Sequence, residues 1–135
     1  MVRATRIDVL HSPFVFNLYN SCIKPTKRGN SYALFLAITS HLSIPIAKDI
    51  SAYEANMALF IPQSKRFSED EWIKTVLNIG DKGMFLVEYP YDTNRQSFIK
   101  VAWKMPHIHV CIDLFDASII MRRDEQAKEF FKLRW

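Results

Sequence analysis

The residue types most capable of chemistry lie in the last third of the sequence. His107, His109, Cys111 and Asp113 alternate with the apolar Ile108, Val110, Ile112 and Leu114. Such period-two alternation predicts one strand from about His107 to Phe115 with the polar side chains on one face. A His-x-His pair on a strand can ligate a metal when partners converge from other strands. Ligands two and four residues apart sit about 6.8 and 13.6 Å apart along a strand, so His107, His109 and Cys111 close a metal site only if other strands bring donors to them. Strand geometry by itself accounts for their common face. They stand as candidate ligands, with no metal and no cofactor assigned. Cys111 beside His109 has the composition of a nucleophile and its base, yet no oxyanion-holding loop or orienting acid accompanies the pair. Glu69-Asp70-Glu71 is a third cluster of interest, as a source of paired carboxylates. Ser68 before it and Glu71 three residues later form a capping box, and acidic residues in a first helical turn are favoured by the helix dipole. No catalytic residue is assigned from any of these.

The elements that must position these groups are legible from apolar spacing. Ser12-Pro13 followed by Phe14, Val15, Leu18, Tyr19 and Cys22 predicts an N-cap, a first-turn proline and a helix to about Ile23. Asn30 or Ser31 opens a second helix, Tyr32 to Leu42, apolar nearly all round and therefore buried on more than one side. Residues 46–56 fit a short strand or a short helix equally. Met57-Ala58-Leu59-Phe60-Ile61, ended by Pro62, and Met84 to Val87 are continuous apolar runs of the kind found in strands buried on both faces. Helices follow each of them, one started by Ser68 and Glu71 and one by Thr93 and Gln96. Ser118 to Arg122 is placed to pair back on the preceding strand as a hairpin, and Asp124 to Glu129 suggests a helical turn. The expected class is α/β: a mixed, partial Rossmann-like sheet of four or five strands with flanking helices and a C-terminal antiparallel hairpin.

Composition bounds the rest. With 135 residues, 49% apolar and 24% charged, the chain has the makings of one domain, residues 1–135, with a core of its own. Three glycines, Gly29, Gly80 and Gly83, are too few and too scattered for a Walker loop or a dinucleotide fingerprint. No window approaches the roughly 18 apolar residues of a membrane span, and the first residues lack a signal-peptide core, so a cytoplasmic protein with no membrane partner is expected. The cysteines Cys22 and Cys111 are then reduced and buried. Eighteen basic residues against fourteen acidic give a net charge of +4, but no run exceeds two adjacent cations. Nucleic acid is not the expected partner on that pattern.

Several segments resemble a known family. His11-Ser12-Pro13-Phe14-Val15-Phe16 near the start, with Ile112-Asp113-Leu114-Phe115-Asp116, Arg123-Asp124-Glu125-Gln126-Ala127-Lys128, Phe131 and Leu133-Arg134-Trp135 further on, is similar to the two ends of a bacterial class I S-adenosylmethionine-dependent O-methyltransferase-like family. Leu59-Phe60-Ile61 and Phe85-Leu86-Val87 fall where that fold has its fourth and fifth strands. The resemblance covers residues 11–24 and about 57–135. It implies a member that lacks the first three strands, which build the cofactor pocket, since nothing between Asn30 and Asn56 supplies the glycine-rich loop or the acidic strand end. Where the family carries Asp-Gly-Asn-His after its fourth strand, this chain has Pro62-Gln63-Ser64-Lys65. Where the family carries Asp-Asp after its fifth, this chain has Glu88-Tyr89. Those replacements remove the paired anionic site that metal binding or base catalysis would use.

A missing first strand also leaves Met57, Ala58, Leu59, Phe60 and Ile61 as an apolar sheet edge. A replacement strand from Ile46 to Ile50, the helix Tyr32 to Leu42, or a second chain must cover it. The resulting expectation is a non-catalytic, degenerate methyltransferase-like domain acting as an interaction module, as a homodimer or with a partner protein. Two alternatives are an S-adenosylmethionine-dependent enzyme that completes its site across a dimer, and a module for nucleic acid or another anionic partner.

Overall fold

Ser12 and Pro13 start the first helix as their types require. In the computed structural model, which describes residues 12–89 and 94–135, the Ser12 hydroxyl accepts the Val15 N–H at 3.3 Å and Pro13 takes the first helical position. Helix α1 (Pro13–Leu18) runs directly into a π-helical turn, Tyr19–Ile23. Helix α2 (Ser31–Leu42) is capped by the Asn30 side chain, which accepts the Ala33 N–H, and stops at Ser43 in a left-handed conformation. The segment that fits strand and helix equally is both in turn. Ile46 bridges Ala58 in parallel, and a 3-10 turn, Ile50–Ala52, follows.

Beyond it run β1 (Ala58–Ile61), α3 (Glu69–Leu77), β2 (Met84–Glu88), α4 (Asn94–Trp103), β3 (Val110–Asp113), β4 (Ala117–Met121) and β5 (Glu129–Lys132). They form one sheet in the order β1-β2-β4-β3-β5. β1 lies parallel to β2 and β3 parallel to β5, while β4 is antiparallel to both of its neighbours. The architecture is the expected α/β class: a mixed five-stranded, partial Rossmann-like sheet with flanking helices and the β3–β4 antiparallel hairpin. The Ser68–Glu71 capping box closes in both directions. Thr93, the cap expected for α4, lies outside the described residues.

Two apolar layers hold the sheet. Val15, Leu18, Leu34, Phe35 and Ile38 from α1 and α2 pack on Met84, Leu86, Val110 and Ile112. On the opposite face Trp72, Val76 and Ile99 from α3 and α4 pack on Leu59, Phe85, Val87 and Cys111. Alternate residues of β2 thus serve both layers, which is why its sequence is apolar without a break. Before β2 the chain passes so close to Ala55 that a Cβ on Gly83 would stand 2.5 Å from the Ala55 carbonyl oxygen.

Two expectations are corrected, and the β1 edge takes two of the covers expected for it. The strand expected from His107 to Phe115 contains only Val110–Asp113. α4 unwinds through Met105, whose carbonyl accepts the Ile108 N–H at 3.1 Å, so a turn ends at His107, Ile108 packs on the side of Cys111 instead of Val110, and His109 joins the sheet only through its N–H to Met121 and its carbonyl to Glu129. The helical turn expected from Asp124 to Glu129 is a single tight turn, the Gln126 N–H donating to the Arg123 carbonyl at 2.9 Å, and Glu129 already opens strand β5: Phe130 and Phe131, set between Glu129 and Lys132, show no alternation, and the strand forms only because β3 offers it a parallel edge. The edge Met57, Ala58, Leu59, Phe60 and Ile61 is mostly closed. Ala58 donates to the Pro45 carbonyl and accepts the Ala47 N–H, both at 2.8 Å, and Tyr32 and Phe35 of α2 lie on Phe60 with ring centroids 5.1 and 5.6 Å away. Residues 57, 59 and 61 face β2, so Phe60 alone in β1 still directs its N–H and C=O outward without a partner among the described residues. Pro62, which has no N–H, bounds that window.

Candidate functional site

In open α/β sheets, ligands bind in the crevice beyond the carboxyl ends of parallel strands. Here that crevice lies between residues 62–65 after β1 and Glu88-Tyr89 at the end of β2, with the first turns of α2 and α4 beside it. Glu88 is the carboxylate that ends β2, and both of its oxygens are engaged. Oε2 accepts the Ser31 hydroxyl in a short hydrogen bond, and Oε1 accepts the Gln63 N–H at 3.0 Å. A carboxylate held in this way positions α2 and the 62–65 loop and has no oxygen left without a donor.

Arg95 fills the space between the two loops. It is only 5% exposed, and its guanidinium donates to the carbonyls of Glu88 (3.0 Å), Pro62 (3.1 Å), Gln63 (3.4 Å) and Lys65 (2.5 Å). Its far face stacks on Phe67, with the ring centroid 4.8 Å from Cζ. A planar fork of donors suits this task as an ammonium would not. Arg95 is the second residue of α4, where the helix dipole disfavours a cation. That misplacement is the sequence signal that marks it as held by something outside its own helix.

Next to this cluster the Tyr89 hydroxyl and Ser118 Oγ share a short hydrogen bond. Burial, then the charge of Asp113, pushes the Tyr89 phenol well above its ordinary value, and burial does the same for Tyr53 and Cys111. These groups stay protonated in the folded protein at a pH where the unfolded chain ionises them, near 10.0 for a phenol and 9.0 for a thiol. Folded pKa values raised above the unfolded ones mean that this stability is complete below pH 9 and is lost as pH rises beyond it. Alkaline titration of tyrosinate absorbance is therefore expected to leave Tyr53 and Tyr89 silent until the protein unfolds. Their gradual ionisation in a still-folded protein would contradict that burial.

The candidate ligands of the β3 region are not brought together. His107 Nε2 lies 2.9 Å from the Val76 carbonyl, Cys111 is buried in the α3–α4 layer, and His109 Nδ1 is buried with no hydrogen bond from the described residues, 3.9 Å from Asp124 Oδ1. No group of three His, Cys, Asp or Glu among the described residues is placed to hold a metal ion. Glu71 closes its capping box, as expected of a helix start. An open groove of about 360 Å³ lies on another part of the surface, lined by Ile50, Tyr53, Lys74, Thr75, Leu77 and Asn78, and holds no carboxylate or imidazole. No helix among the described residues is long and apolar enough to cross a membrane. No family model, curated protein or solved structure matches the chain.

Proposed function

We propose that this chain is a non-catalytic, methyltransferase-like domain that works as an interaction module. The observation that carries the reading is the Arg95 guanidinium, spread over four carbonyls in the crevice where a ligand of such a sheet would lie. Two further features support it. The strands that the resemblance matches to the family's fourth and fifth are parallel neighbours, and the loops after them, stripped of the family's carboxylates, are bonded to each other through Glu88 and Arg95.

The partner in this reading is a second copy of the chain. α2 carries no Asp, Glu, Lys or Arg from Ser31 to Leu42, yet exposes Tyr32 (54%) and Leu36 (40%), and Ile46 (45%) lies beside the Phe60 window of β1. Two copies of a chain with net charge +4 repel each other over most of their surface. A charge-free apolar helix is where they approach at least cost, in an isologous contact.

Thermal-shift and calorimetric titration with S-adenosylmethionine and S-adenosylhomocysteine, with mass recorded by light scattering on the same sample, tests both parts. A bound ligand at about 100 times its dissociation constant stabilises by about 2.7 kcal/mol, several degrees for a domain this small. No shift and a dimer mass are expected. A cofactor-induced shift overturns the non-catalytic reading, and a monomer at high micromolar concentration overturns the pairing.

A further inference from the structure

We propose that the surface formed by residues 24–28, the hairpin tip at Phe115 and residues 132–135 binds single-stranded nucleic acid. The fold assembles it from segments far apart in the sequence. Trp135 Nε1 donates to the Thr26 carbonyl at 3.1 Å across 109 residues, and Lys132 Nζ lies 5.1 Å from the centre of the Phe115 ring. Lys24, Lys27, Arg28, Lys132 and Arg134 lie on the segments that these contacts join, together with the rings of Phe115 and Trp135. Dispersed in sequence, these cations form no run longer than Lys27-Arg28, which is why charge patterning alone points away from nucleic acid.

Two observations separate this surface from an ordinary solvated one. None of its five cations has an ion pair among the described residues, whereas Arg122 and Arg123 pair with Asp124 and Glu125 at 2.9 Å. Of the nearby carboxylates, Asp113 is engaged by the Phe115 N–H at 2.8 Å, and Asp116 is the other at the tip. The second observation is Phe115 itself. It takes φ +73°, a left-handed conformation that glycine adopts freely and a bulky side chain does not, and the residue is 46% exposed. Among the described residues the ring's one aromatic or cation contact is Lys132. Backbone strain that packing does not repay points to use at a surface, and an exposed ring beside the Lys132 ammonium matches the stacking platform and phosphate contacts of single-strand binders.

The single-stranded form is favoured because the cations sit on loops and a strand end. None lies on a helix of major-groove length among the described residues. The surface is distinct from the exposed face of α2, so the inference goes beyond pairing of copies and is tested separately from it.

Fluorescence anisotropy with a labelled single-stranded oligonucleotide of about 12 residues, at salt between about 50 and 200 mM, reads the interaction. Binding is expected with a log–log salt slope approaching about −3.5, five phosphate contacts at about −0.7 each. Phe115→Gly removes the ring while relieving the turn, so it should keep or raise the melting temperature and weaken binding about tenfold. Lys27→Glu with Arg28→Glu should flatten the salt slope and leave the circular dichroism unchanged. Absence of binding at the lowest salt overturns the proposal. So does binding that Phe115→Gly leaves intact, or equal affinity for duplex or for phosphatidylserine vesicles, since each marks plain cation exchange. Loss of cofactor-silent behaviour in the crevice would leave this result untouched, because the two surfaces share no residue.

Discussion

Replacing Arg95 by alanine is expected to lower the unfolding free energy by about 3–5 kcal/mol, a large part of the 5–15 kcal/mol that holds a domain of this kind. The side chain is 5% exposed and its donors reach the carbonyls of Glu88, Pro62, Gln63 and Lys65. Hydrogen bonds from a charged donor contribute about 1.5–3 kcal/mol each, and part of that is recovered when water reaches the vacated crevice, which keeps the total below their sum. Urea denaturation checks it: the midpoint should fall with the slope unchanged. Arg95→Lys should restore little, because an ammonium has no planar fork to span carbonyls on two loops. A loss below about 1 kcal/mol, the size of a single ordinary hydrogen bond, would mean that the guanidinium does not tie the loops together.

The second large effect belongs to Trp72→Ala. Trp72 is fully buried on α3, with Phe67 5.5 Å and Phe85 and Phe98 both 6.0 Å away between ring centroids, and its Nε1 donates to the Phe98 carbonyl at 2.7 Å. Deleting it leaves a cavity at the junction of α3, α4 and β2, at a cost of about 3–5 kcal/mol. Because that junction also seats Phe67, the ring under Arg95, the two substitutions share a partner and their costs should not add. Trp72→Phe keeps ring packing but strands the Phe98 carbonyl, so it should fall between wild type and alanine. If Trp72→Phe proved as damaging as alanine, the hydrogen bond and not the packing would dominate this corner of the core.

What the sequence makes legible here is what short-range physics controls. Ser12 with Pro13, Asn30, and Ser68 with Glu71 cap helices through groups three residues away, and the apolar runs of β1 and β2 reflect burial on both faces. The illegible parts depend on distant partners. β5 exists because β3 has a free edge, and His107 to His109 leave the strand because α4 ends two residues before the turn at Met105. Alternation in that stretch suggests a common face for His107, His109 and Cys111, but it does not encode where α4 stops. The crevice follows the same rule. Pro62-Gln63-Ser64-Lys65 and Glu88-Tyr89 mark by their residue types that paired carboxylates are missing, while what occupies the space instead, Arg95, is fixed by carbonyls 30 to 33 residues away. Its one local clue is a cation in a first helical turn.

The claim on which the account turns is that the crevice at the ends of β1 and β2 is closed by the chain's own groups. Backbone amide resonances of Gln63, Glu88, Tyr89 and Arg95, followed by nuclear magnetic resonance while S-adenosylmethionine is titrated in, test it most directly. The account predicts that these four resonances stay in place up to millimolar cofactor. Saturable shifts centred on them would show a ligand entering the space assigned to the Arg95 guanidinium, and would contradict it.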